Sequence, residues 1–240
     1  MSFPEFNSTP PSTRPRFLRW IGIAVLVLLS LPYVVTPLYL FITPISTPML
    51  WRHATGKRVV RIVTPLDSIS PAVPAAVIAA EDQRFCAHGG IDWNSLRQVI
   101  EDAEDVEDLR GGSTITQQTV KNLFLWPGRS YLRKALEFPL SIWVDLVLPK
   151  RRIMELYLNV AEWGPNGEFG VEAGSRWAFN KPARDIGYGD AALLTAILPN
   201  PRIRNARQPG PAVRRLASIY ERRAIAVGAL TACIRRSRSP

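Results

Sequence analysis

The sequence predicts a mainly α protein with an N-terminal transmembrane helix. Three observations carry that expectation. No charged side chain occurs between residues 20 and 50, and the stretch 20–42 is about 23 residues long, against the ~20 that cross a hydrocarbon core as a helix. Beyond residue 64, apolar side chains recur at the three- and four-residue spacing of a helix face, and few stretches alternate as strands do. The 240 residues, 47% of them apolar, suffice for one anchored domain with a sizeable core.

Residues 1–19 are polar, Pro-rich and basic, with Arg14, Arg16 and Arg19 leading into the apolar run, and read as a tail. Pro32 and Pro37 predict a kink or an early end to the spanning helix, which membrane helices tolerate when freed carbonyls find partners. Arg52, Lys57, Arg58 and Arg61 follow the segment about as densely as the three arginines precede it, so charge does not decide its orientation. Residues 43–63, with Pro44 and Pro48, read as a membrane-proximal stalk, and 58–63 alternates loosely as a short strand ended by Pro65. Residues 64–235 form the domain and 236–240 a basic tail. Helices are expected at 71–85, 93–104, 114–125, 130–147, 150–159, 170–179, 190–198 and 213–230, with Pro139 kinking or splitting the fourth. The run EDAEDVED at 101–108 holds six acids in eight residues and reads as a solvated helix end entering a mobile loop, with a divalent-cation site as the minority reading.

The net charge of +10 suits phosphates, nucleic acid or an anionic bilayer. Nucleic acid is disfavoured, because no zinc-finger, helix-turn-helix or RRM spacing is present and the basic residues are dispersed. Cys86 and Cys233 are too few for a disulfide framework and belong to no CxxC pair, so two free thiols are expected, with Cys86 a small buried hydrophobe.

Chemistry concentrates in three stretches. The first, AAEDQRFCAHGGID at 79–92, follows an apolar helix, so Glu81 and Asp82 arrive where a core element meets a turn. A carboxylate there is desolvated and tuned toward a general base; the same residues are also compatible with a solvated helix face ending in the Gly89-Gly90 pair. In the second, GGSTITQQTVKNLFL at 111–125, Thr114, Gln118 and Lys121 stand at i, i+4 and i+7 on one face of a helix starting near Ser113. In the third, Arg133 and Lys134 precede Glu137 by one helical turn, as a helical ion pair or as a cation cluster with a second functional carboxylate.

In order and spacing these stretches resemble the monofunctional biosynthetic peptidoglycan glycosyltransferases, which polymerise glycan strands from lipid-linked disaccharide. The pieces are Glu81-Asp82-x-x-Phe85-x-x-His88-x-Gly90, then Gly111-Gly112-Ser113-Thr114-Ile115-Thr116-Gln117-Gln118 with Lys121-Asn122, then Arg133-Lys134-x-x-Glu137. After them come Lys150-x-Arg152 through Asn159, then Gly170-Val171-Glu172-Ala173, with the phrases Ala161-Glu162-Trp163-Gly164-Pro165 and Leu198-Pro199-Asn200-Pro201 looking like the monofunctional branch. Phe179-Asn180-Lys181 departs from the usual ending of its motif.

The resemblance implies a lysozyme-like, two-lobed domain with a groove between the lobes. It implies Glu81 as base and Glu137 as second catalytic carboxylate. It places Asp82, Phe85, His88, Ser113, Thr114, Gln117, Gln118, Lys121, Asn122, Arg133, Lys134, Arg152 and Asn159 at the substrate. Asp82 and Phe85 also fix the turn, His88 is structural rather than proton-transferring, and Asn159 is as apt to brace the groove as to touch sugar. No cofactor is required, although a divalent cation (Mg or Mn) is compatible with Glu137. The implied partners are lipid II, the growing glycan strand, the membrane and the cell-division or elongation machinery. The implied location is the bacterial inner membrane, single-pass, with the N-terminus cytoplasmic and the domain periplasmic. A wall hydrolase and a tethered, inactive wall-binding protein are the competing readings.

Overall fold

The computed structural model describes residues 14–101, 112–128 and 130–235. The tails at 1–13 and 236–240, and the acidic run beyond Glu101, lie outside the described residues.

Helix α1, Arg14–Val35, continues into a 3-10 turn, Thr36–Leu40. Its Leu, Val and Ile side chains are exposed along its length, as on a helix meant for lipid. It runs through Pro32 and stops two residues before Pro37, because a proline disfavours the α conformation in the residue preceding it. The Thr36 hydroxyl donates to the Pro32 carbonyl at 2.6 Å.

The connection that follows is stapled to the domain by side chains from distant segments. Trp143 Nε1 donates to the Tyr33 carbonyl at 3.1 Å, and Tyr39 stacks on Phe124 with ring centroids 5.7 Å apart. Arg152 donates to the carbonyls of Tyr39 and Ile42 at 2.6 and 2.7 Å. Arg61 donates to those of Thr43 and Pro44 at 3.0 and 2.6 Å. Helix α2, Thr47–Ala54, then packs on the domain through Met49, which is 1% exposed, and the Thr47 hydroxyl donates to the carbonyls of Asn122 and Leu125.

The core is built around α3, Ala72–Glu81, buried from Ala72 to Ala79. Its Ala72, Ala75, Ala76 and Ala79 let neighbouring backbones approach closely, and it packs against α9, Tyr188–Ile197, and α10, Pro211–Ala226, which present Ala191, Ala192, Ala217 and Ala224. A second layer consists of α5, Ile115–Phe124; α6, Tyr131–Val147; and α7, Lys150–Val160. The remaining helices are α4, Trp93–Glu101, and α8, Val171–Phe179. The expected strand contracts to β1, Val60–Arg61, paired in parallel with β2, Glu168–Phe169, in the register Val60↔Glu168.

Four expectations are corrected. The helix predicted at 71–85 stops at Glu81, because Asp82 leaves helical geometry (φ −162°) to point its carboxylate at His88 and the Ile115 amide. Pro139 does not split α6, which runs on to Val147; Ala135, whose carbonyl it orphans, is exposed. The last helix ends at Ala226, and Gly228–Ile234 is a 3-10 segment. The two cysteines are not free: Cys86 and Cys233 form a disulfide across 147 residues, with Cα atoms 5.5 Å apart, because the turn after α3 and the C-terminal segment pack together.

Candidate active site

Glu81 is the last residue of α3. The helix delivers its carboxylate to α5, where Gln118 Nε2 donates to Oε2 at 2.8 Å, and the Tyr157 hydroxyl donates in turn to Gln118 Oε1 at 3.2 Å. Burial raises the Glu81 pKa above the ordinary carboxylate value, and the Gln118 hydrogen bond, Lys121 and Arg204 only partly oppose it.

The turn after Glu81 is a junction. Both Asp82 oxygens lie within 3.0 Å of His88 Nε2, and Oδ2 also accepts from the Ile115 amide at 3.0 Å. Asp82 therefore sits at the N-terminus of α5, where a carboxylate meets unpaired amides and the positive end of the helix dipole. Gly90 follows at φ +87°, and any side chain there would strike the Ser141 carbonyl of α6.

Helix α5 begins with a capping box: the Thr114 hydroxyl accepts from the Gln117 amide at 3.1 Å while Gln117 Oε1 accepts from the Thr114 amide at 3.0 Å. The Thr114 hydroxyl also donates to the Gly90 carbonyl at 2.6 Å. Both side chains are 2% exposed, so Thr114 and Gln117 build the start of the helix, and of the predicted polar row Gln118 and Lys121 face the groove.

Helix α6 adds two cations and a carboxylate, Arg133, Lys134 and Glu137. Glu137, 3% exposed, is ion-paired to Arg133 through one oxygen and to Lys134 Nζ at 3.0 Å through the other. Lys134 also donates to Ser113 at 2.9 Å and lies 5.7 Å from the centre of the Phe138 ring. Its pKa falls from 10.5 to about 8, first through burial and then through repulsion from Arg133 and Lys121. Lys121 is lowered too, by burial and Arg133, with Glu81 opposing. With both Glu137 oxygens engaged by cations, that carboxylate does not fit a divalent ion as placed, and among the described residues no three of His, Cys, Asp and Glu gather as a metal site.

A cavity of about 450 Å³ is lined by Gln118, Lys121, Asn122, Arg133, Tyr157 and Trp126. Its far rim carries residues to which the sequence motifs assign no role. Glu162 pairs with the buried Arg52 at 2.9 Å and with Arg202 at 3.4 Å, which brings the Ala161–Pro165 and Leu198–Pro201 phrases together over the groove. Burial raises the Glu162 pKa against the pull of Arg202 and Arg52.

Family resemblance could flag both phrases, but only the fold shows that they meet. The family model for transglycosylases matches residues 49–224. The chain belongs to the transglycosylase family. It is 56% identical over 234 residues to the biosynthetic peptidoglycan transglycosylase of Rhodopseudomonas palustris (strain TIE-1), covering 96% of this chain and 99% of that one. It is 58% identical over 223 residues to that of Nitrobacter hamburgensis, covering 92% and 98%, and 49% identical over 216 residues to that of Agrobacterium fabrum, covering 89% and 95%.

Within this transglycosylase domain, several residues expected at the substrate make contacts that hold the frame. Phe85 is fully buried beneath Lys150, whose ammonium lies 4.6 Å from its ring centre. His88 is committed to Asp82. Arg152 clamps the membrane-proximal segment. Asn159, 1% exposed, accepts from the Thr64 amide at 2.8 Å and donates to the carbonyls of Thr64 and Glu155 at 2.9 and 2.8 Å, bracing the entry to the domain.

Proposed function

We propose that this membrane-anchored transglycosylase polymerises lipid II into β-1,4-linked glycan strands with inversion at the anomeric carbon. The observation that carries the reading is a single cavity: Gln118, which holds Glu81, lines it together with Lys121 and Arg133. The growing strand, held by its lipid pyrophosphate, is the donor, and the 4-hydroxyl of an incoming lipid II is the acceptor. Glu81 takes the hydroxyl proton as the new glycosidic bond forms and the bond to the pyrophosphate breaks. Its raised pKa makes it a stronger base than an ordinary glutamate.

Lys121, Arg133 and Lys134 receive the departing pyrophosphate. Arg133 supplies a planar fork of donors and the two lysines compact charge, in a setting where burial strengthens each interaction. Glu137 holds Arg133 and Lys134 in register for that role. Asn122 and Ser113 add neutral donors beside the cations.

The domain belongs on the periplasmic face of the bacterial inner membrane, with the N-terminus in the cytoplasm. The disulfide supports this side, since such bonds persist in oxidising compartments and are rare in the cytosol. The assay is strand formation from purified lipid II by the full-length protein. Glu81→Gln should lower turnover by about 10²- to 10⁴-fold while lipid II binding survives. Near-normal turnover, or a defect confined to binding, would remove Glu81 as the base, and fragments released from added wall would replace polymerisation by hydrolysis.

A further inference from the structure

The catalytic carboxylate is held by a chain of two hydrogen bonds whose outer member has no role in the chemistry above. Tyr157, 1% exposed, directs its hydroxyl at Gln118 Oε1, and that is its hydrogen bond among the described residues. A primary amide accepts at its oxygen and donates at its nitrogen. With the Gln118 oxygen taken by Tyr157, the nitrogen is left for Glu81. Were the amide reversed, its oxygen would face the Glu81 carboxylate, two acceptors in contact, which opposes ionisation. The hydroxyl also polarises the amide that it donates to, and hydrogen bonds in such a chain strengthen one another in a low-dielectric interior.

We propose that Tyr157 is a positioning residue for Glu81: it anchors and polarises the Gln118 amide so that the amide donates to the ionised carboxylate. The inference rests on Glu81 being the base. Burial, with Glu81 and Asp82 adding to it, keeps the Tyr157 hydroxyl protonated far above neutral pH, so the donor persists wherever the enzyme works. The other charged and titratable groups that face Glu81 are Asp82 on its own turn, Lys121 on α5, Arg204 after α9 and Tyr220 on α10. None of them is touched by a Tyr157→Phe substitution, which removes one oxygen from a ring otherwise kept.

The test is the pH dependence of kcat and KM with purified lipid II for wild type, Tyr157→Phe, Gln118→Ala and the double variant, with Glu81→Gln run alongside. The expected result for Tyr157→Phe is an acid limb raised by about half a pH unit or more. At neutral pH its kcat should fall on the order of three- to thirty-fold, with KM within about twofold. In the Gln118→Ala background the same substitution should shift the limb no further. An unshifted limb in Tyr157→Phe, with Glu81→Gln inactive, overturns the positioning role and leaves the base in place. An equal shift with and without Gln118 overturns it too, since Tyr157 would then act on Glu81 by another route. A Glu81→Gln variant that still polymerises removes the premise instead.

Discussion

Replacing Lys134 by arginine should move the alkaline limit of activity. Lys134 is a cation held among cations: burial, Arg133 and Lys121 bring its pKa from 10.5 to about 8. If its charge receives the departing pyrophosphate, the wild-type rate should hold below that value, halve near it and drop about tenfold per pH unit above, leaving roughly a tenth at one unit beyond. A guanidinium stays protonated throughout that range. Lys134→Arg should therefore begin somewhat slower at pH 7, because the larger head must be seated against Ser113 and Glu137, yet outperform wild type at pH 9 and above.

Stability should run the other way. Between about 8 and 10.5 the unfolded chain binds the proton that folded Lys134 has released, so wild-type folding should gain with rising pH while catalysis fades. The measurement is polymerisation rate from pH 6 to 10, with thermal melts on the same samples. An alkaline limb at the same pH in both proteins would refute the assignment, because the limb would then belong to another group.

Three further outcomes are expected. Cys86→Ser with Cys233→Ser should lower folding stability by about 2–5 kcal/mol, since the bond closes a loop of 147 residues, and reductant should lower the wild-type melting temperature but not the variant's. Asn159→Ala should destabilise by about 2–4 kcal/mol, because it removes three hydrogen bonds and leaves the Thr64 amide and carbonyl buried, a loss that chemical denaturation reads directly. A protein lacking residues 1–40 should still sediment with anionic vesicles, through the exposed Leu132, Ile142 and Leu146 of α6 and the basic residues around Arg58, whereas complete recovery in the supernatant would confine membrane affinity to α1.

The sequence shows best what lies close along the chain. The apolar run before Glu81 is a buried helix as its composition implies, and the one-turn spacing of Arg133, Lys134 and Glu137 does bring them into contact. Polar residues competing for two uses are harder to read. Thr114 and Gln117 have the types and spacing of binding residues, yet the helix start consumes them, a use that the pattern Thr-x-x-Gln also encodes. What is invisible is long-range pairing. Nothing local joins Cys86 to Cys233, Glu162 to Arg52 and Arg202, or Tyr157 to Gln118, because each pair exists only once separate elements have packed. Pro139 fails as a helix breaker for a related reason, since breaking depends on where the orphaned carbonyl points.

The segment between α1 and α2 carries a last implication. Arg61, Arg152, Trp143 and Thr47 hold its carbonyls and its ends at several points, so it is a strut and not a tether. A tethered head would sample a hemisphere of heights above the bilayer and spend most of its time out of reach of a lipid-borne sugar. In the proposed membrane orientation, such a strut would keep the groove at one altitude over the lipid headgroups. The search for each new building block is thereby reduced from three dimensions to the two of the membrane plane.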